Sequence, residues 1–247
     1  MALNITIQGD DEFGRLLRGL SQDIVDAHIH WDQCHALEAQ MEKWPQVTAE
    51  AYTFWHYTRI AHQRTALMCL ARAYENDQKG LHLRSWLIAI RDHLPLFGKD
   101  QVARRRPGDP FAKWITEDAA KPNLDQLERD IKNCSIYDDA DVKALYVYRG
   151  NLLAHRNAEL MKQGDPSRLP PLLVEQVENL LARAKDVLNR YAYMFETTIY
   201  GTQPVGHDSV ERVFESMQHE LDQRARVLEE QMTSLSRHAH DETDQGN

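Results

Sequence analysis

The chain has 247 residues, with 29 Lys and Arg against 38 Asp and Glu for a net charge of −9. An apolar fraction of 42% and a charged fraction of 27% exclude a wholly disordered polymer. The acidic balance excludes a generally basic nucleic-acid coat, so any nucleic-acid site must be local. Leu and Ala number 51 against 23 Val and Ile, which places the apolar content in helix formers and predicts an all-α fold. The expected architecture is one domain spanning residues 1–247: a bundle of about six to seven helices with its core over about 10–206, then a long C-terminal helix and polar tail over 207–247. Cys34, Cys69 and Cys134 are odd in number and form no C-x-x-C pair, so neither a disulfide framework nor a zinc knuckle is expected. The N-terminus has no basic segment followed by an apolar run, and apolar stretches such as 86–90 fall far short of the ~20 residues of a membrane helix. A cytoplasmic protein with no membrane contact is the expectation.

Proline disrupts helix interiors, so the nine prolines cut the chain into segments. Before Pro45, the residues Leu16, Leu17, Leu20, Ile24, Ala27 and Trp31 recur at three- and four-residue steps and predict a first amphipathic helix. A second runs from 48 to about 76 through Tyr52, Trp55, Ile60, Leu67, Leu70 and Ala71, ended by Gly80. A third covers 81–93 and stops before Pro95.

Residues 95–122 hold four of the nine prolines and two glycines, and are expected to form a long loop with one helical turn around 111–115. Between 99 and 115 five basic residues face two acidic ones, with Arg104, Arg105 and Arg106 in a row. Two readings stand: a grip on phosphate, or a solvated surface triplet. Helices are expected again over 123–134, 139 to about 162, and 172 to about 200. The last helix, about 208–237, aligns Val210, Phe214, Met217, Leu221, Leu228 and Leu235 on one stripe. At ~1.5 Å per residue it would be about 45 Å long, so it either reaches a partner subunit or packs along its own bundle and frays.

The segment that carries chemistry reads Tyr148-Arg149-Gly150-Asn151-Leu152-Leu153-Ala154-His155-Arg156-Asn157. On a continuous helix at ~100° per residue, Arg149 and His155 flank the two edges of one apolar ridge, with Tyr148 beside His155. Arginine presents a rigid fork of donors matched to phosphate. Histidine can take a proton from a 2′-hydroxyl or give one to a leaving oxygen near neutral pH. That chemistry requires no metal. Gly150 inside a helix costs about 1 kcal/mol relative to Ala, so either a helix begins near it or something approaches the backbone there. The structural alternative is a pair bonded across the bundle to Tyr148, Glu159 or a carbonyl.

An arginine followed after four to six residues by histidine resembles the signature of the HEPN family, and 152–156 resembles its AbiU-like abortive-infection branch. The resemblance implies a helical bundle that dimerises with the Arg-x5-His segments of two subunits facing each other in one cleft. Many members are metal-independent endoribonucleases acting as toxins or in phage defence. Carried across, Arg149 would hold the scissile phosphate and His155 would serve as acid or base, with RNA as substrate. Tyr148, Asn151, Arg156 and Asn157 would assist in binding, no cofactor is needed, and an antitoxin or regulatory protein is an expected partner. The residue after the arginine is commonly polar in the family, often Asn, but here Gly150 stands there and Asn151 follows. Some members are non-catalytic, so a module binding a protein, nucleotide or RNA is the alternative.

Two further sets come from the first helix: His28, Asp32 and His35 at i, i+4 and i+7, and Asp26, His30 and Cys34 at i, i+4 and i+8. Each lines a helix face and could supply part of a zinc or iron site, or could be an ordinary polar face. From 207 onward ten acidic residues face four basic ones, while 143–162 holds four basic and one acidic. The overall acidity therefore comes mainly from the C-terminal helix and tail, and leaves room for a small basic cleft around the motif.

Overall fold

A computed structural model describes residues 5–77, 79–117, 119–153, 158, 162, 171–203, 206 and 208–244. The described residues form ten α-helices, one 3-10 turn and one π-helical turn, with no strand. The fold is all-α, as composition predicts. The α-helices are α1 (Asp10–Lys43), α2 (Pro45–Glu50), α3 (Tyr52–Ala73), α4 (Leu83–Asp92), α5 (Lys99–Arg105), α6 (Ala112–Glu117), α7 (Leu124–Asn133), α8 (Ala140–Tyr148), α9 (Val174–Glu196) and α10 (Ser209–Asp244). None of them is long and apolar enough to cross a membrane.

Contacts divide the chain into two compact units. One comprises Met1–Trp31 and Gln63–Pro204, the other Asp32–His62 and Val205–Asn247. In the first unit α4 is buried nearly all round through Leu83, Trp86, Leu87, Ile88, Ala89 and Ile90. It lies against α7, while α9 packs on α5 and α8. Phe13 of α1 stacks on Trp86 at 5.9 Å and meets Phe195 of α9 at 4.5 Å between ring centroids. Large aromatic rings of this kind dominate core energetics. Acidic Asp10, Asp11 and Glu12 open α1, where the helix dipole favours negative charge.

The second unit has its own core of Leu37, Val47, Trp55 and Phe214, with Met41, Trp44, Val210, Met217 and Leu221 against it. Trp55 and Phe214 lie 4.5 Å apart. The first half of α10 is thus packed on α2 and its neighbours, whereas Leu228, Met232 and Leu235 farther along are exposed.

Three differences from the sequence reading have physical causes. The expected second helix breaks at Ala51 (φ −142°, ψ 44°), separating a one-turn α2 started by Pro45 from α3. The expected loop over 95–122 has its expected helical turn in α6 but also contains α5, which was not expected. Proline and glycine there mark the ends of short helices, with Gly98 at φ 108° ahead of α5 and Gly108 at φ 78° after it, a region that L-residues rarely occupy. Finally, the helix expected from 139 to about 162 ends as an α-helix at Tyr148 and continues as a π-helical turn over Arg149–Leu153.

Candidate functional site

The motif arginine sits where α8 changes its winding, and α8 is fixed at both ends. Asp139 caps its N-terminus, accepting hydrogen bonds from the backbone N–H groups of Asp141 and Val142, each 3.0 Å. The same carboxylate accepts from Nη1 of Arg183 on α9 at 2.7 Å. Gln176 of α9 donates to Asp141 at 2.9 Å, and Val142 and Leu145 are buried in the core. A cap of this type contributes about 1 kcal/mol, so the start of α8 is rigidly tied to α9.

At the other end, the Asn151 side-chain amide donates to the carbonyl of Val147 at 2.8 Å. An Asn that bonds the carbonyl four residues back competes with the helix's own ladder. Gly150 beside it lowers the helical preference further. Together they account for the π turn, a widening that recurs at functional sites. Among the described residues nothing lies within 4 Å of where a Gly150 Cβ would stand.

The guanidinium of Arg149 meets a carboxylate that sequence reasoning missed. Nη1 of Arg149 forms an ion pair with Oε2 of Glu75, with side-chain exposures of 27% and 19%. Nε of Arg149 is buried and has no hydrogen-bond partner among the described residues. Glu75 lies just past the end of α3, where Tyr74 is anchored by its hydroxyl donating to the carbonyl of Leu180 at 2.8 Å. The chain from there to α4 is held by His82, whose Nδ1 accepts from the Ser85 N–H at 3.3 Å and whose Nε2 lies 3.1 Å from the carbonyl of Asp77. That pattern requires neutral His82 with its proton on Nε2. Burial pushes the His82 pKa below its ordinary value, and the bond to Asp77 opposes this. No local motif pointed to Glu75; it stands 74 positions before Arg149 and only the fold brings them together.

Of the other expected site residues, Tyr148 is half-buried against the core and Asn151 is half-buried. His155, Arg156, Asn157 and Glu159 lie outside the described residues. The angular relation expected between Arg149 and His155 therefore also lies outside the described residues.

Two members of the arginine triplet are engaged within the fold and one is exposed. Arg105 donates to the carbonyl of Phe195 at 2.7 Å and to that of Leu96, and to Asp10 at 3.1 Å. Its guanidinium carbon is 3.8 Å from the Phe195 ring centroid. Arg106 donates to the carbonyl of Glu196 at 2.8 Å. The two arginines serve the unpaired carbonyls at the end of α9, where positive charge is favourable, and only Arg104 is largely exposed. For the first helix, Nε2 of His28 lies 3.0 Å from the carbonyl of Leu181, Cys34 is buried, and His35 pairs with Glu38 at 3.8 Å. Among the described residues no three His, Cys, Asp or Glu side chains converge as an ion would require.

No curated protein and no solved structure matches the chain. A family profile does, that of the HEPN proteins described as AbiU2, and it spans residues 10–213, from the start of α1 into α10. It covers both the Glu75 segment and the Arg149 turn, and the chain belongs to the AbiU2 family of HEPN proteins.

Proposed function

We propose that the protein is a metal-independent endoribonuclease, acting in the cytoplasm as a phage-defence effector or toxin. Arg149 would bind the scissile phosphate and His155 would move the protons. In that reaction the 2′-oxygen attacks the adjacent phosphorus as His155 removes its proton. The bond from phosphorus to the 5′-oxygen breaks, the leaving oxygen is protonated, and the products are a 2′,3′-cyclic phosphate and a 5′-hydroxyl. Arg149 would offset the charge that builds on the phosphoryl oxygens, a role for which fixed donors contribute more than mobile ones.

The observation that carries this reading is the state of Arg149. It is partly exposed at a π turn, one arm is held by Glu75, and its Nε–H has no partner among the described residues. An unmet buried donor costs about 1–3 kcal/mol, which a phosphate oxygen would relieve once the side chain turns toward it. Two copies of the chain would complete one cleft with two Arg149–His155 pairs, and an antitoxin or regulatory protein would restrain it.

The ion pair with Glu75 also supports a second reading, a non-catalytic module binding a protein, nucleotide or RNA, since it neutralises the charge a phosphate would seek. The two are separated by incubating mixed RNA with the protein in EDTA. Cyclic-phosphate ends that vanish in His155→Ala support the ribonuclease. Identical behaviour of wild type and His155→Ala contradicts it.

A further inference from the structure

We infer that the distal half of α10 is a self-association surface that pairs in parallel with the same helix of a second copy of this chain. The inference does not depend on what Arg149 does, and the surface lies beyond residue 213, where the family match ends.

Leu221, Leu228 and Leu235 recur every seven residues, and Gln218, Ala225 and Met232 recur every seven in between. Alternating steps of four and three are the seam of a two-stranded coiled coil. The seam begins inside the folded unit, where Leu221 packs beside buried Phe214, and then leaves it. Leu228, Met232 and Leu235 are 59%, 65% and 70% exposed. Three large apolar side chains on one exposed stripe, at a period of 3.5 residues, are the pattern of a helix that lacks its partner.

Charge beside the seam selects both the partner and its direction. Arg224 precedes the seam residue Ala225, and Glu229 follows Leu228. In a parallel pair of identical helices, each flanking residue of this first kind meets the residue five positions later on the partner. Arg224 of each copy therefore faces Glu229 of the other, giving two opposite-charge pairs. In an antiparallel pair with Ala225 opposite Leu228, Asp222 of each copy would face Glu229 of the other, giving two like-charge pairs. Arg224 now bonds Glu220 on its own helix at 2.6 Å, with both side chains over 60% exposed, so this local pair is weak and leaves the guanidinium able to reach across. From Leu221 to Leu235 the seam is about 21 Å long, a short coil that associates reversibly.

The test uses the full chain carrying Leu235→Cys or Leu228→Cys, oxidised mildly at a series of micromolar concentrations. The native Cys34, Cys69 and Cys134 are all buried, so the wild type serves as the unlinked control. Each engineered thiol faces its own copy in the parallel pair, and disulfide-linked dimers are expected for both. Adding Arg224→Glu should raise the concentration needed for linking about tenfold, as two attractions become repulsions. Combining Arg224→Glu with Glu229→Arg should restore it. Lack of linked dimer with both cysteine variants overturns the inference, and so does linking that Arg224→Glu leaves unchanged.

Discussion

The carboxylate of Glu75 holds the guanidinium of Arg149 at the point where the helix that carries the motif widens. Glu75 comes from the end of α3, which is tied to α9 through Tyr74 to Leu180, and Arg149 from the end of α8, whose start is tied to α9 through Asp139 to Arg183. The pair therefore reports how the bundle orients the arginine, and it sets a competition. A phosphate binding at Arg149 must share the guanidinium with Glu75 or displace it.

That competition can be measured with Glu75→Gln. Removing a nearby negative charge of this exposure is worth about 1 kcal/mol, so RNA binding should tighten severalfold in a His155→Ala background. Cleavage by Glu75→Gln with His155 intact should fall, because the arginine loses its orienting partner. Fluorescence anisotropy reads the first effect and single-turnover kinetics the second.

Arg149→Lys separates charge from geometry. Lysine keeps the positive charge but lacks the planar fork, so cleavage should drop at least about tenfold while thermal stability stays within about 1 kcal/mol. Equal rates for the two proteins would show that the fork plays no part.

Gly150→Ala tests the account of the π turn. Its Cβ would meet nothing within 4 Å among the described residues, so alanine should stabilise the fold by about 0.5–1 kcal/mol through helix propensity and the unfolded chain. For a chain of this size that is a rise of about 1–4 °C in Tm, readable by calorimetry. A fall in Tm would mean that the turn needs glycine's freedom.

Stability should be greatest between about pH 6.5 and 9. On the acid side, burial depresses the His82 pKa below its ordinary 6.5. The unfolded chain then binds the proton more readily, and stability is lost as pH falls through 6.5 toward the folded value. On the alkaline side, burial raises the Cys134 thiol from 9.0 to about 12, and raises the Tyr74 and Tyr191 hydroxyls above 10.0, with Asp130 adding to the shift of Tyr191. Those contributions are complete below the unfolded values and are lost as pH climbs past 9 to 10. Urea midpoints across pH 5 to 11 should trace this window, and His82→Asn should flatten its acid limb.

The helical class was legible because leucine and alanine dominate the composition, α1 because its apolar residues recur at three- and four-residue steps, and α4, α7 and α9 because proline, glycine and turn residues bound them. Within 95–122 the turn that became α6 was legible, but α5 was not, because proline and glycine punctuate short helices as readily as loops. The break at Arg149 was foreshadowed by Gly150, but its form depends on the Asn151 side chain choosing the Val147 carbonyl, a local competition that helical periodicity does not register. Glu75 was invisible because contacts between distant segments leave no spacing to read. Arg105 and Arg106 were singled out for their charge, yet their partners are carbonyls at the end of α9, which only the packing of α5 on α9 brings within reach.

The most direct test is cleavage of a defined single-stranded RNA in EDTA by wild type, Arg149→Ala and His155→Ala, with end-group analysis of the fragments. The account predicts 2′,3′-cyclic phosphate ends from the wild type, and rates lowered by about 10²–10³-fold in each variant with folding unchanged. Cleavage that persists at the wild-type rate in both variants, or no cleavage by the wild type of any RNA offered, would contradict it.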